Sequence, residues 1–470
     1  MRRAARYDKI LVTYVFHPGK LINLITSWMK IESFETRFIN GAFWSFVGTI
    51  VARLLAIVIS VMVARSLGKE GFGQYGIIQS TVSMFGTFAG FGMGLTATKY
   101  IAEWRYKDPI KAGRILAISA VMVFVTAGIL AIGLFISAPW FASRTLAAPQ
   151  LANSLKIGAV LIMLTALNGA QIGALVGLEA FKVTAKLNLY TGLVSLPLVV
   201  GGVVYLGLEG ALWGLTFTAA LNWLFNHLAL RREAARIGIP LTFKGCLQEW
   251  HVLWTFSLPA VISGMLAAPV NWVCNAFLVN QHNGYAEMGI VNAANQWFFA
   301  LLFIPGILAR CSIPLLSERF GANDKFACRR VIRYSIMLNT AVVVPLVVIG
   351  CFASRYIMGI YGAGFADHSA VLMAALITAG VLSIQMPLGQ MTAASGRMWT
   401  EICMNLGWAI LICGGTWLGE SYGALGLMTA RLIAYTVHTL WTTWFVYFIL
   451  SQKDAIDGGK QEVSFSLADE

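Results

Sequence analysis

The residues best suited to chemistry in this chain are two isolated arginines. Arg53 falls near the middle of an otherwise uncharged run over 42–64, and Arg431 lies about nine residues into another over 422–450. A guanidinium at the centre of a membrane helix costs roughly 2.5–3.5 kcal/mol, so it faces the bundle interior or a wet cavity. None of the 21 acidic residues lies mid-run; Glu103, Glu287 and Glu401 stand only at run ends. With no buried carboxylate at hand, the planar fork suits a phosphate, which it can bind bidentately. The competing reading is structural, with each guanidinium bonded to carbonyls or reaching for the bilayer surface.

Uncharged amides accompany the arginines. Asn271 and Asn275 are four apart, Asn292, Asn295 and Gln296 share a helical face, and so do Asn168 and Gln171. An amide facing lipid stays unsatisfied, so these face protein or water. They either bond helix to helix or line a cavity for a hydroxyl-rich ligand. Pro259 and Pro269 fall within one run and would break its helix and free carbonyls, as at many transporter sites.

Catalytic patterns are weak. Gly419 to Gly423 reads G-x-S-x-G, but that pattern needs a strand-turn-helix on a sheet, and here it sits between two apolar runs. There is no phosphate-binding P-loop and no His-Glu-x-x-His, and the six histidines are scattered. The seven cysteines form no Cys-x-x-Cys pair and read as small core hydrophobes. No enzyme activity, metal or cofactor is expected.

The elements that carry these residues follow from composition. Of 470 residues, 58% are hydrophobic and 12% charged, with a mean hydropathy of +0.72. Soluble domains carry about 25% charged residues, so this surface is not built for water. The chain reads as an all-α polytopic membrane protein. Twelve apolar runs are each long enough for a membrane helix: 42–64, 75–98, 115–138, 157–177, 187–206, 210–230, 253–279, 287–309, 334–353, 369–393, 399–418 and 422–450.

The net charge of +13 is explained by topology rather than by nucleic acid. With the N-terminus in the cytoplasm, inward connections hold 27 Lys and Arg residues and outward ones hold 5. The positive-inside rule therefore places both termini in the cytoplasm. No signal peptide is evident. Residues 20–39 suit a helix lying on the membrane surface, or else an unordered leader.

The expected organisation is a leader (1–41), six helices (42–230), a basic linker (231–252), six helices (253–450) and a tail (451–470). GALWGL at Gly210 and GALGL at Gly423 open the sixth and twelfth runs and suggest a repeat. An even helix number per half makes the repeats parallel about an axis along the membrane normal. Glycines spaced by four, at Gly86, Gly90, Gly94 and at Gly169, Gly173, Gly177, predict close helix contacts.

Ala64-Arg65-Ser66-Leu67-Gly68-Lys69-Glu70-Gly71-Phe72-Gly73-Gln74-Tyr75-Gly76, then Gly92-Met93-Gly94-Leu95 and Lys99-Tyr100-Ile101-Ala102-Glu103, resembles the polysaccharide transporter family. That family includes O-antigen flippases and belongs to the multidrug, oligosaccharidyl-lipid and polysaccharide flippase superfamily. The specific match spans roughly 42–115. The resemblance implies two six-helix bundles around a central cationic cavity. It also implies a bacterial inner-membrane flippase that moves undecaprenyl-pyrophosphate-linked oligosaccharide, the repeat unit of an O-antigen, exopolysaccharide or capsule, to the periplasmic leaflet. A monomer in membrane lipid is expected, handing cargo to a polymerase or ligase. Two alternatives stand beside it: a cation-coupled multidrug antiporter of the same superfamily, which needs a mid-membrane carboxylate, and a membrane glycan polymerase or ligase, which needs a large outward loop.

Overall fold

The computed structural model describes residues 34–258, 266–322, 324–395 and 397–451. Most of the leader, Pro259 and the tail beyond Ser451 lie outside the described residues. The described chain is helical and contains no strand. The helices are α1 (Phe34–Ala89), α2 (Met93–Trp104), α3 (Pro109–Trp140), α4 (Ala152–Gly177), α5 (Phe181–Ile237), α6 (Ala267–Val279) and α7 (Gly284–Leu301). They continue with α8 (Phe303–Gly321), α9 (Lys325–Phe352), α10 (Ser354–Ile360), α11 (Ala363–Ala366), α12 (Ser369–Ala394), α13 (Met398–Leu418) and α14 (Gly423–Ser451).

Among the described residues, eight helices are long and apolar enough to cross a bilayer, and α7 with α8, bent by 41°, makes a ninth. Two of the eight are double. At 1.5 Å per residue, the 56 residues of α1 and the 57 of α5 far exceed a hydrocarbon core about 30 Å thick. Each is broken at one glycine with positive φ, Gly68 in α1 and Gly207 in α5. Beyond Gly207 the chain folds back on itself, so that Gly202 meets Gly210 and Leu198 meets Gly214. This arrangement accommodates the twelve expected spans. Large apolar side chains such as Ile132, Phe352 and Ile410 are exposed on the outer faces, where lipid would meet them.

The internal repeat is visible in the backbone, three residues away from the register that the Gly-Ala-Leu strings suggest. Gly207 (φ 60, ψ −137) and Gly423 (φ 54, ψ −128) share a conformation that side chains rarely adopt. Three residues later, Gly210 packs on Gly202 and Gly426 packs on Gly419. The equivalent pair is therefore Gly207 with Gly423, not Gly210 with Gly423.

One expected span is interrupted. Phe91 and Gly92 have positive φ and separate α1 from α2 inside the run 75–98. Gly86 and Gly90 consequently drop out of the expected seam. Gly94 instead packs against the backbone of Gly169 and Gly173 on α4, and Gly177 against Ala97 and Thr98. Pro269 lies in the first turn of α6, where its missing N–H costs nothing.

Candidate functional site

The two halves of the chain meet most closely at the face opposite the basic connections. There the second limb of α1 crosses α7 in backbone contact. A Cβ on Gly73 would overlap the Tyr285 carbonyl, and one on Gly289 would overlap that of Lys69. Polar bonds stitch the same seam. The Arg65 Nε donates to the Ile360 carbonyl (2.7 Å), the Tyr285 hydroxyl to the Leu146 carbonyl (2.6 Å), and the Trp272 indole to Thr81 Oγ1 (2.9 Å). Phe72, Tyr361 and Phe365 form an aromatic plug, with ring centroids 6.2 and 6.4 Å from Phe72. Burial pushes the Tyr361 phenol up to about 12. Its hydroxyl lies beside Ser60 and Trp297, and none of the three polar atoms makes a geometrically sound hydrogen bond.

Two of the expected amides belong to this seam. Asn275 donates to Ser80 Oγ (2.9 Å), and Asn292 donates a long bond to the Phe72 carbonyl (3.5 Å) while packing on Gly76. Both are buried. Toward the basic face Thr96 Oγ1 lies 2.7 Å from Ser257 Oγ.

Arg431 is not the open cavity residue that its isolation in sequence suggests. It is 4% exposed, and its two terminal nitrogens donate to neutral amide oxygens, Nη1 to Asn295 (2.6 Å) and Nη2 to Asn271 (3.1 Å). Its guanidinium also lies over the Phe298 ring at 5.7 Å, and its Nε has no partner. Asn271 is oriented in turn by donating to the Ala267 carbonyl (2.7 Å). The structure thus joins one arginine and two asparagines from separate runs into a single cationic cluster. Amides can share this charge without neutralising it, so the cluster keeps its positive field.

Arg53 is different. It is partly exposed, and no described side chain bonds or pairs with it. It lies seven residues, two helical turns, from Ser60 and therefore on nearly the same face of α1. Ser60 faces Tyr361 and Trp297 of the C-terminal half, so the helix period sets Arg53 on the side of α1 that carries Ser60, about 10 Å along the axis. The opposite side of this limb is occupied by α5, through Gly48 on Ala185 and Leu55 on Gly192. Gln296, one turn from Asn292, is also partly exposed, and no described residue bonds with its side chain.

Asn168 and Gln171 lie elsewhere. Asn168 donates to the Ala219 carbonyl (3.0 Å) and accepts from Asn226 (3.4 Å), which donates to Asn222 (3.1 Å). Gln171, with its amide turned to satisfy both atoms, pairs with the indole and carbonyl of Trp223, each at 3.1 Å. These bonds hold α4 to α5 within the N-terminal half. Asn222, Asn226 and Trp223 escape the sequence reading, although two asparagines four apart in an apolar run are the same signal that singles out Asn271 and Asn275. Among the described residues, no cluster of His, Cys, Asp and Glu could hold a metal.

This architecture is a helical membrane body whose helices from the two parts of the chain meet in backbone contact at one seam. The sequence profile of the polysaccharide biosynthesis protein family matches residues 38–320, more than half of the chain, and the MatE profile matches 259–413. The chain belongs to the polysaccharide biosynthesis protein family, within the multidrug, oligosaccharidyl-lipid and polysaccharide flippase superfamily. It is similar to the EPS I polysaccharide export inner membrane protein EpsE of Ralstonia nicotianae, at 22% identity over 86% of this chain and 93% of that one. The Lipid III flippase of Escherichia coli is 21% identical over 61% of this chain and 68% of its own. In fold it is similar to the lipid II flippase MurJ in an inward closed conformation, with a TM-score of 0.69, 14% identity and coverage of 86% and 87%.

Proposed function

We propose that this polysaccharide-type transporter flips an undecaprenyl-pyrophosphate-linked oligosaccharide from the cytoplasmic to the periplasmic leaflet of the bacterial inner membrane by alternating access. The observation that carries the reading is Arg53, a membrane-embedded guanidinium on the Ser60 side of α1 that no described side chain bonds or pairs with. A diphosphate supplies the missing bidentate acceptor. The Arg431, Asn271 and Asn295 cluster adds a second positive field, and Gln296 offers its amide to sugar hydroxyls. Relatives named for polysaccharide export and for lipid-linked cargo support the substrate class.

The charge asymmetry puts the basic connections and both termini in the cytoplasm. In this reading the seam between α1 and α7 faces the periplasm and closes the transporter on that side. In this reading 42–230 and 253–450 rock against each other, joined by the basic linker 231–252. Asn275 and Asn292 must release Ser80 and Phe72 for cargo to leave, while Asn168 and Gln171 keep the N-terminal bundle rigid. An inside-negative potential favours the outward step, by about 2.3 kcal/mol per 100 mV for each negative charge moved. A cation antiporter would need a carboxylate in mid-membrane, which the twelve runs lack.

The test is complementation of a deletion strain. Arg53→Ala should insert normally, because no described side chain bonds or pairs with Arg53, yet fail to restore surface polymer. Arg53→Lys should restore it in part. Full polymer from a well-inserted Arg53→Ala protein would remove Arg53 from the site.

A further inference from the structure

A second feature lies on the outside of the C-terminal half, away from the gap. A groove of about 760 Å³ runs between α9 and α14, with Leu388 of α12 among its lining residues. Arg329 and Arg333 stand at one end, on the first turns of α9, and the rest of the trough is apolar apart from Thr340 and Thr443, flanked by the exposed Met337 and Tyr447. From Arg329 to Ala341 the trough follows twelve residues of α9, about 18 Å, close to the depth of one leaflet of a core about 30 Å thick.

The charged end is built. Arg329 donates through Nη2 to the Leu450 carbonyl on the last described turn of α14 (2.8 Å). That bond fixes the Arg329 guanidinium against α14. Arg333, one turn along α9, is exposed, and no described residue bonds or pairs with it. A cationic mouth at the basic face above an apolar trough one leaflet deep has the polarity of a phospholipid. Basic pockets between membrane helices on the cytoplasmic side recognise anionic head groups in this way.

We propose that this groove is a binding site for an anionic phospholipid of the leaflet at the basic face, its phosphate between Arg329 and Arg333 and an acyl chain along α9 and α14. The site is separate from the gap and does not rest on the identity of the cargo.

Native mass spectrometry of the purified full chain, titrated with phosphatidylglycerol and separately with phosphatidylcholine, tests this. The wild-type protein should retain phosphatidylglycerol in preference. Each arginine near the surface is worth roughly fivefold, so Arg329→Gln with Arg333→Gln should weaken phosphatidylglycerol binding on the order of 20-fold, to the phosphatidylcholine level. If the double variant does not fold, Arg333→Gln alone carries the test, with a loss of about fivefold. Thr443→Trp, which fills the trough and spares both arginines, should weaken both lipids. Equal retention of the two lipids by the wild type, or unchanged phosphatidylglycerol binding in the arginine variants, would overturn the proposal. So would displacement of phosphatidylglycerol by lower concentrations of undecaprenyl phosphate, which would assign the trough to cargo.

Discussion

Arg431 Nη1 stands 2.6 Å from Asn295 Oδ1, joining α14 to α7 through a charge held by a neutral amide. Asn295→Leu removes that acceptor from a buried cation whose Nε already lacks one. The expected cost is about 1–3 kcal/mol, read as a lower Tm of the detergent-solubilised protein. An unchanged Tm would mean that Asn295 does not hold Arg431.

The crossing of α1 and α7 at Gly73 and Gly289 leaves no room for a side chain. Gly73→Leu should therefore prevent closure of the sealed face. In a cysteine-depleted background, a thiol introduced by Phe72→Cys should react slowly with an impermeant maleimide added outside whole cells, and much faster when combined with Gly73→Leu. Equal rates would place the seal elsewhere.

The Tyr361 hydroxyl is buried without a sound hydrogen bond, so Tyr361→Phe should leave Tm and transport unchanged or slightly improved. Its raised pKa, about 12 against an ordinary 10.0, favours the folded state fully below pH 10, and that contribution falls as pH rises toward 12. The Tyr361→Phe protein should lose this alkaline dependence. A marked loss of stability at neutral pH would show that the hydroxyl is bonded.

Cys274 and Cys413 bring their sulfurs to 3.9 Å between α6 and α13, both in the C-terminal half. Copper-phenanthroline should oxidise the two thiols to a disulfide within the chain, detected as protected thiols by mass spectrometry. If the halves move as rigid bodies, this link leaves transport intact. Loss of transport, restored by reduction, would locate part of the motion within that half.

Hydropathy made the helices legible, because lipid leaves few alternatives to a spanning helix. The break at Phe91 and Gly92 was not legible, since its residues are as apolar as their neighbours and only the backbone reverses. The repeat was legible but out of register by three residues, because Gly-Ala-Leu is common and the conformation at Gly207 and Gly423 is not written in side chains. For the site, the sequence shows no mid-run carboxylate beside either arginine. Their divergence could not be read, because it depends on which amide from another run reaches each guanidinium: Asn271 and Asn295 reach Arg431, and no described amide reaches Arg53. Asn275 and Asn292 likewise show the spacing of cavity residues, yet their bonds cross the seam between the halves.

Leaflet accumulation in a deletion strain tests the central claim most directly. Lipid-linked oligosaccharide would be quantified together with its accessibility to a glycan probe added outside spheroplasts. The account predicts single units trapped on the inner leaflet, inaccessible to the probe, and released by the wild-type gene but not by Arg53→Ala. Single units accumulating on the outer leaflet would contradict it and place the block after flipping.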